Sequence, residues 1–159
     1  MFVTGGYDAN QDSTHNITEL YNLQNDSWFK VADSPYPKGV NHNAVIYHGY
    51  NTFYTFGGWT EGEELTIIAR LKYYHNEDWE IMGNMKTGRY RHSIIISYAN
   101  PEHWAEILVV GGCCDSKPTE NCSIRSGGIE CESQEPMLDG YSYLPVLYNT
   151  NTPVPYYCY

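Results

Sequence analysis

Cys113, Cys114, Cys122 and Cys131 fall within nineteen residues, and Cys158 stands next to the carboxyl terminus. Thiols this close form disulfides, hold a metal or stay reduced. Adjacent cysteines followed by gaps of seven and eight residues do not match the usual spacing of zinc ligands. A cluster in a polar stretch suits a disulfide-stapled insertion made in an oxidising compartment, with reduced thiols as the alternative. Five cysteines cannot all pair among themselves.

Other chemistry-bearing groups point less sharply. Glu61, Glu63 and Glu64 form a carboxylate run, which on a loop reads as a solvated face. His42 and His92 lie 50 residues apart and are expected at the same place in successive units of a repeat. A recurring histidine of that kind suits a structural hydrogen bond better than a metal ligand. The chain has no Gly-x-Ser-x-Gly elbow, no phosphate loop and no His-Glu-x-x-His. It is therefore read as non-enzymatic, with no catalytic residue, metal or cofactor assigned.

Nine Lys plus Arg against nineteen Asp plus Glu leave a formal charge of −10. Phosphate backbones and anionic membrane surfaces both require a basic face, so no nucleic-acid partner is expected. No apolar run approaches the roughly 18–20 residues of a membrane span, so no membrane insertion is expected either. Met1-Phe2-Val3-Thr4-Gly5 already reads as a strand, and no signal peptide is visible there. Sequons at Asn16, Asn25 and Asn121 are candidate glycosylation sites and lean weakly towards export. The cysteine cluster places the protein outside the cell or among secreted chains; the cytoplasm is the alternative.

The elements that carry these groups recur. Phe53-Tyr54-Thr55-Phe56 stops on Gly57-Gly58, as a buried strand ending in a tight turn does. Phe2-Val3-Thr4 stops on Gly5-Gly6, and Ile107-Leu108-Val109-Val110 on Gly111-Gly112. From Gly5 to Gly57 is 52 residues and from Gly57 to Gly111 is 54. Tyr21 and Tyr73 each follow a glycine pair by fifteen residues, with Trp28 seven and Trp79 six residues further on. Such a period identifies a repeat architecture.

This pattern resembles the kelch repeat. Arg89, His92 and Ser93 match the opening of a family repeat, Gly57-Gly58 its glycine pair, and Tyr21 with Trp28 its later aromatic pair. The resemblance covers residues 1 to 112 well and the last third poorly. It implies an all-β fold of four-stranded antiparallel blades in a β-propeller, here about three blades of an incomplete ring. The whole chain, 1–159, is then one partial propeller, with a partial first blade over 1–34, a second over 35–84 and a third over 85–159. Propellers close with about 4–8 blades, so the missing ones are expected from a longer chain. In the third blade, fifteen residues past Gly112 stands Gly127 instead of a tyrosine. The cysteine-rich segment at about 113–135 therefore reads as an insertion, with the next strand near 143–152 around Tyr148, and Tyr156 or Tyr157 near the missing tryptophan.

In kelch propellers the loops between the second and third strands of each blade and the connections between blades emerge on one face, which usually meets the partner. Mapped onto this chain, that face presents Tyr7 and Asp8, Tyr36 and Lys38, Trp59 and Glu61, then Arg89 and Arg91. Tyr, Trp and Arg dominate interface energetics. The resemblance thus implies a protein-interaction module whose partner is a protein of unknown identity. Its rivals are a propeller scaffold for a metal-dependent oxidase and a disulfide-crosslinked extracellular structural protein.

Overall fold

The computed structural model describes residues 1–49, 51–73, 78–97, 105–113, 116–125 and 127–137. Strands run where apolar residues alternate or cluster between Gly, Pro, Asn and Asp breakers. The first sheet joins β1 (Phe2–Thr4), β4 (Ile17–Asn22) and β5 (Ser27–Asp33) in that order; a two-residue-per-strand hairpin, β2 (Tyr7–Asp8) and β3 (Ser13–Thr14), projects between β1 and β4. The second sheet contains β6 (Ala44–Gly49), β7 (Thr52–Phe56), β10 (Ile67–Lys72) and β11 (Glu80–Asn84) in chain order. A matching small hairpin, β8 (Trp59–Thr60) and β9 (Glu63–Glu64), projects between β7 and β10. The third sheet runs β12 (His92–Ser97), β13 (Ala105–Gly111), β14 (Pro118–Arg125) and β15 (Gly128–Pro136). Every pairing in the three sheets is antiparallel, and none of the sheets closes on itself. No α-helix occurs among the described residues.

The sheets stack in series, with the second sheet covered on both faces. Along β7, Phe53 faces the first sheet, where its ring stacks on Phe2 at 4.0 Å. Tyr54 and Phe56 point the other way, into a core with Ile68, Ile107, Val109, Ile124 and Ile129. That two-sided burial is why β7 reads as an unbroken apolar run rather than an alternating one. Each fully buried side chain of this size contributes roughly 1.5–3 kcal/mol. The joint to the first sheet also holds a polar contact, in which Trp79 Nε1 donates to Thr18 Oγ1 at 3.0 Å. Between the second and third sheets the first strands, β6 and β12, lie together, as do the last, β11 and β15.

The third sheet corrects the sequence reading. The segment expected as an inserted loop, 113–135, instead supplies β14 and most of β15. Its inward positions on β14 are Glu120, Cys122 and Ile124, all buried, so the period-two pattern was hidden by a carboxylate and a thiol. Gly127, found where a tyrosine was sought, lies in the turn between the two strands. The strand expected at 143–152, with Tyr148, and the positions Tyr156 and Tyr157 lie outside the described residues.

Register also corrects the pairing of histidines. Ala44 opposes Phe56 and Ser93 opposes Val110, each just before a glycine pair. The equivalent of His92 is therefore Asn43, and the equivalent of His42 is Arg91. Both His42 and Arg91 have positive φ, 54° and 56°.

Candidate functional site

At one end of the sheets, the first two glycine pairs are each locked to the connection that leads to the next sheet. Gly6 N–H donates to Val40 O at 2.8 Å, and Gly58 N–H donates to Arg89 O at 2.9 Å. A Cβ at Gly57 would stand 2.6 Å from Arg89 O, and one at Gly58 2.4 Å from Val40 Cγ2. Only glycine fits so close an approach. Val40 and Arg89 are thus equivalent, and both are fully buried.

Arg89 is accordingly scaffold, which corrects its assignment to the partner face. Its Nη2 pairs with Glu120 Oε1 at 2.6 Å and donates to Pro118 O at 2.9 Å, and its Nη1 donates to Gly111 O at 2.9 Å. Glu120 also accepts the backbone N–H of Lys86 at 2.7 Å and of Thr87 at 3.0 Å. A buried ion pair needs such extra hydrogen bonds to offset desolvation. Tyr36 leaves the face as well: it is 2% exposed, and burial pushes its phenol well above the ordinary range. Neighbouring His92 is buried in β12 with no hydrogen-bond partner on either ring nitrogen among the described residues. Burial, and secondarily the Arg89 charge, push it down to about 3, so the ring is neutral.

Four predicted face residues do converge. Tyr7 from the β2–β3 hairpin, Lys38 from the connection before β6, and Trp59 and Glu61 from the β8–β9 hairpin line a cleft of about 420 Å³, with Asp12 and Asn41 also in its walls. Paired hydrogen bonds between Asn41 and Trp59, 3.0 and 2.8 Å, hold the second hairpin against the connection before β6. Tyr7 Oη donates to Asp12 Oδ1 at 2.5 Å, a contact that raises the phenol's pKa. Lys38 Nζ meets Glu61 Oε2 at 2.6 Å, and that carboxylate raises the lysine's pKa. Beyond the cleft, the Trp59 ring lies 4.9 Å from Tyr90, and the Arg91 guanidinium carbon is 5.5 Å from the Tyr90 ring centre. Arg91 therefore continues the same surface.

Asp8 serves its own turn instead of the cleft, accepting the N–H groups of Asn10 at 2.8 Å and Gln11 at 3.3 Å. Asp12, Asn41 and Tyr90 escaped the sequence reading. A signal for Asp12 was present: Tyr7-Asp8-Ala9-Asn10-Gln11-Asp12-Ser13 and Tyr21-Asn22-Leu23-Gln24-Asn25-Asp26-Ser27 share one spacing. Both build the same turn, with tyrosine bonded to an aspartate at φ 49°.

Cys122 and Cys131 oppose each other across β14 and β15 and form a disulfide. Cys113, placed with them by the sequence, sits instead just after β13 with its sulfur 3.9 Å from Arg91 Nη1; Cys114 lies outside the described residues. Glu120, Cys122 and Cys131 are the one group among the described residues with ligand atoms close enough for a metal, within 4.8 Å. Their atoms are already engaged with Arg89, two backbone N–H groups and each other. Of the sequons, Asn16 and Asn25 are exposed, whereas Asn121 sits within β14 between two neighbouring strands, away from the loop setting such sites require. No family model and no curated protein matches this chain by sequence.

Proposed function

We propose that the three sheets are successive blades of a kelch-type β-propeller, completed by blades from a longer chain, and that this part acts as a non-catalytic protein-interaction module. Several features support the propeller reading: serial stacking, first strand beside first and last beside last, and a recurring clasp between glycine pair and connection. The observation that carries the binding role is convergence. Residues from two hairpins and an intervening connection meet at one cleft, with exposed aromatic and charged groups rather than an enclosed reaction chamber. The Cys122–Cys131 disulfide supports an oxidising, extracellular setting. It also takes two thiols out of any crosslinking between chains.

Quantitative affinity capture tests this reading with three forms: the wild type, the double variant Tyr7→Ala/Trp59→Ala, and Leu23→Ser in the exposed β4–β5 turn. A partner held by the wild type and by Leu23→Ser, and lost from the double variant, is the expected result. Equal retention by all three forms sinks the proposed face.

A further inference from the structure

Resting on the interaction-module reading, we infer that the cleft between the β2–β3 and β8–β9 hairpins takes an arginine side chain presented by a peptide segment of the partner. Two carboxylates, Asp12 and Glu61, line the cleft with a single lysine, Lys38. Asp8 and Glu63 add negative charge on the same hairpins. The Lys38–Glu61 pair is solvent-exposed on both sides, 68% and 58%. An exposed pair of this kind is weakly held, so Glu61 can exchange Lys38 for an incoming guanidinium.

Asn41 supplies an independent pointer. It is only 9% exposed, it lines the cleft, and its Oδ1, shut off from solvent, accepts no hydrogen bond among the described residues. A buried acceptor left unsatisfied is costly and waits for an N–H donor. A guanidinium offers five such donors in one plane, enough to bind Glu61 and, once the Asn41 side chain turns towards the cleft, to satisfy its oxygen as well. Trp59 and Tyr7 set aromatic rings at the cleft, and ring faces attract cations. A carboxylate-bearing ligand meets the reverse of each condition: repulsion from Asp12 and Glu61, and an acceptor facing an acceptor.

The test is a two-dimensional NMR titration of the full chain with the N-acetyl amides of arginine, glutamate and leucine, following the Trp59 indole N–H and the Asn41 side-chain amide. Arginine amide is expected to shift both signals saturably, and added salt is expected to weaken it. Glu61→Gln and Asp12→Asn are each expected to weaken arginine amide by about threefold to tenfold. The second variant keeps an acceptor for Tyr7 and suits the positive φ at that position. Absence of a shift with arginine amide, or an equal shift with glutamate amide, overturns the inference. So does a captured partner that needs Trp59 but binds Glu61→Gln and Asp12→Asn as tightly as wild type. That last result leaves the interaction-module reading standing, whereas capture independent of both Tyr7 and Trp59 removes it.

Discussion

The second and third sheets solve one packing problem in two ways. Beside the second sheet, Val40 in the connection and Ala69 in β10 fill the joint with apolar atoms. At the equivalent places the third sheet has Arg89 and Glu120, since Thr55 opposes Ala69 as Val109 opposes Glu120. All four side chains are fully buried. Nearby, Asn43 Nδ2 donates to Thr55 Oγ1 at 2.8 Å. In the third sheet His92 stands in place of Asn43 and Val109 in place of Thr55, so the imidazole meets a side chain that cannot bond it. Cys122 likewise takes the position of Leu71, exchanging an apolar anchor for a covalent one. Position in the repeat fixes burial and backbone approach; the means of filling the space is negotiated locally with the neighbour.

Breaking the ion pair should produce the largest effect. Glu120→Ala leaves Arg89 charged and unpaired in the interior and should cost about 3–5 kcal/mol in urea denaturation. Arg89→Val/Glu120→Ala, which transplants the apolar pair, should cost less than Glu120→Ala alone. The recovery should be partial, because Lys86 N–H and Thr87 N–H lose their acceptor, whereas Pro37, the counterpart of Lys86, has no N–H. A double variant less stable than Glu120→Ala would mean that the two sheets are not interchangeable here.

Acid should distinguish them next. His92 falls from an ordinary 6.5 to about 3 in the folded chain, so the unfolded chain takes up the proton first. Its contribution to stability is complete above about 6.5 and is lost as pH falls towards 3, by at most about 5 kcal/mol. His92→Asn, the residue of the second sheet, should flatten the stability difference between pH 7 and pH 5 measured by thermal unfolding. An unchanged slope would show that the ring is not held neutral. Reducing the Cys122–Cys131 disulfide should cost about 2–3 kcal/mol and spare the core around Leu71. The smallest effect is expected at the surface: Glu61→Gln should change stability by less than about 1 kcal/mol, since its partner Lys38 is exposed.

The sequence was most legible where burial is apolar on both faces. β7 and β13 announced themselves by long apolar runs ending on glycine pairs, and Tyr21 with Trp28 marked the hairpin of the first sheet. β14 and β15 were missed because Glu120 looks like a surface residue until Arg89, far along the chain, is known to reach it. Glu61 was read correctly as a turn residue, whereas Trp59, read with it as loop, lies in the short strand β8. Tyr36 was not, because a tyrosine between two prolines gives no local sign that its ring folds inward. Asn41 and Asp12 entered the cleft through turn geometry, which side-chain type alone does not reveal.

The clasp at the glycine pairs has a consequence for how the stack opens. Gly58 closes strand β7 of the second sheet, yet its amide proton is held by the carbonyl of Arg89, which belongs to the approach to the third. Its exchange with deuterium should therefore track undocking of the neighbour instead of melting of its own sheet. One backbone amide thus serves as a latch sensor, reporting the detachment of one layer from the next before either loses its strands.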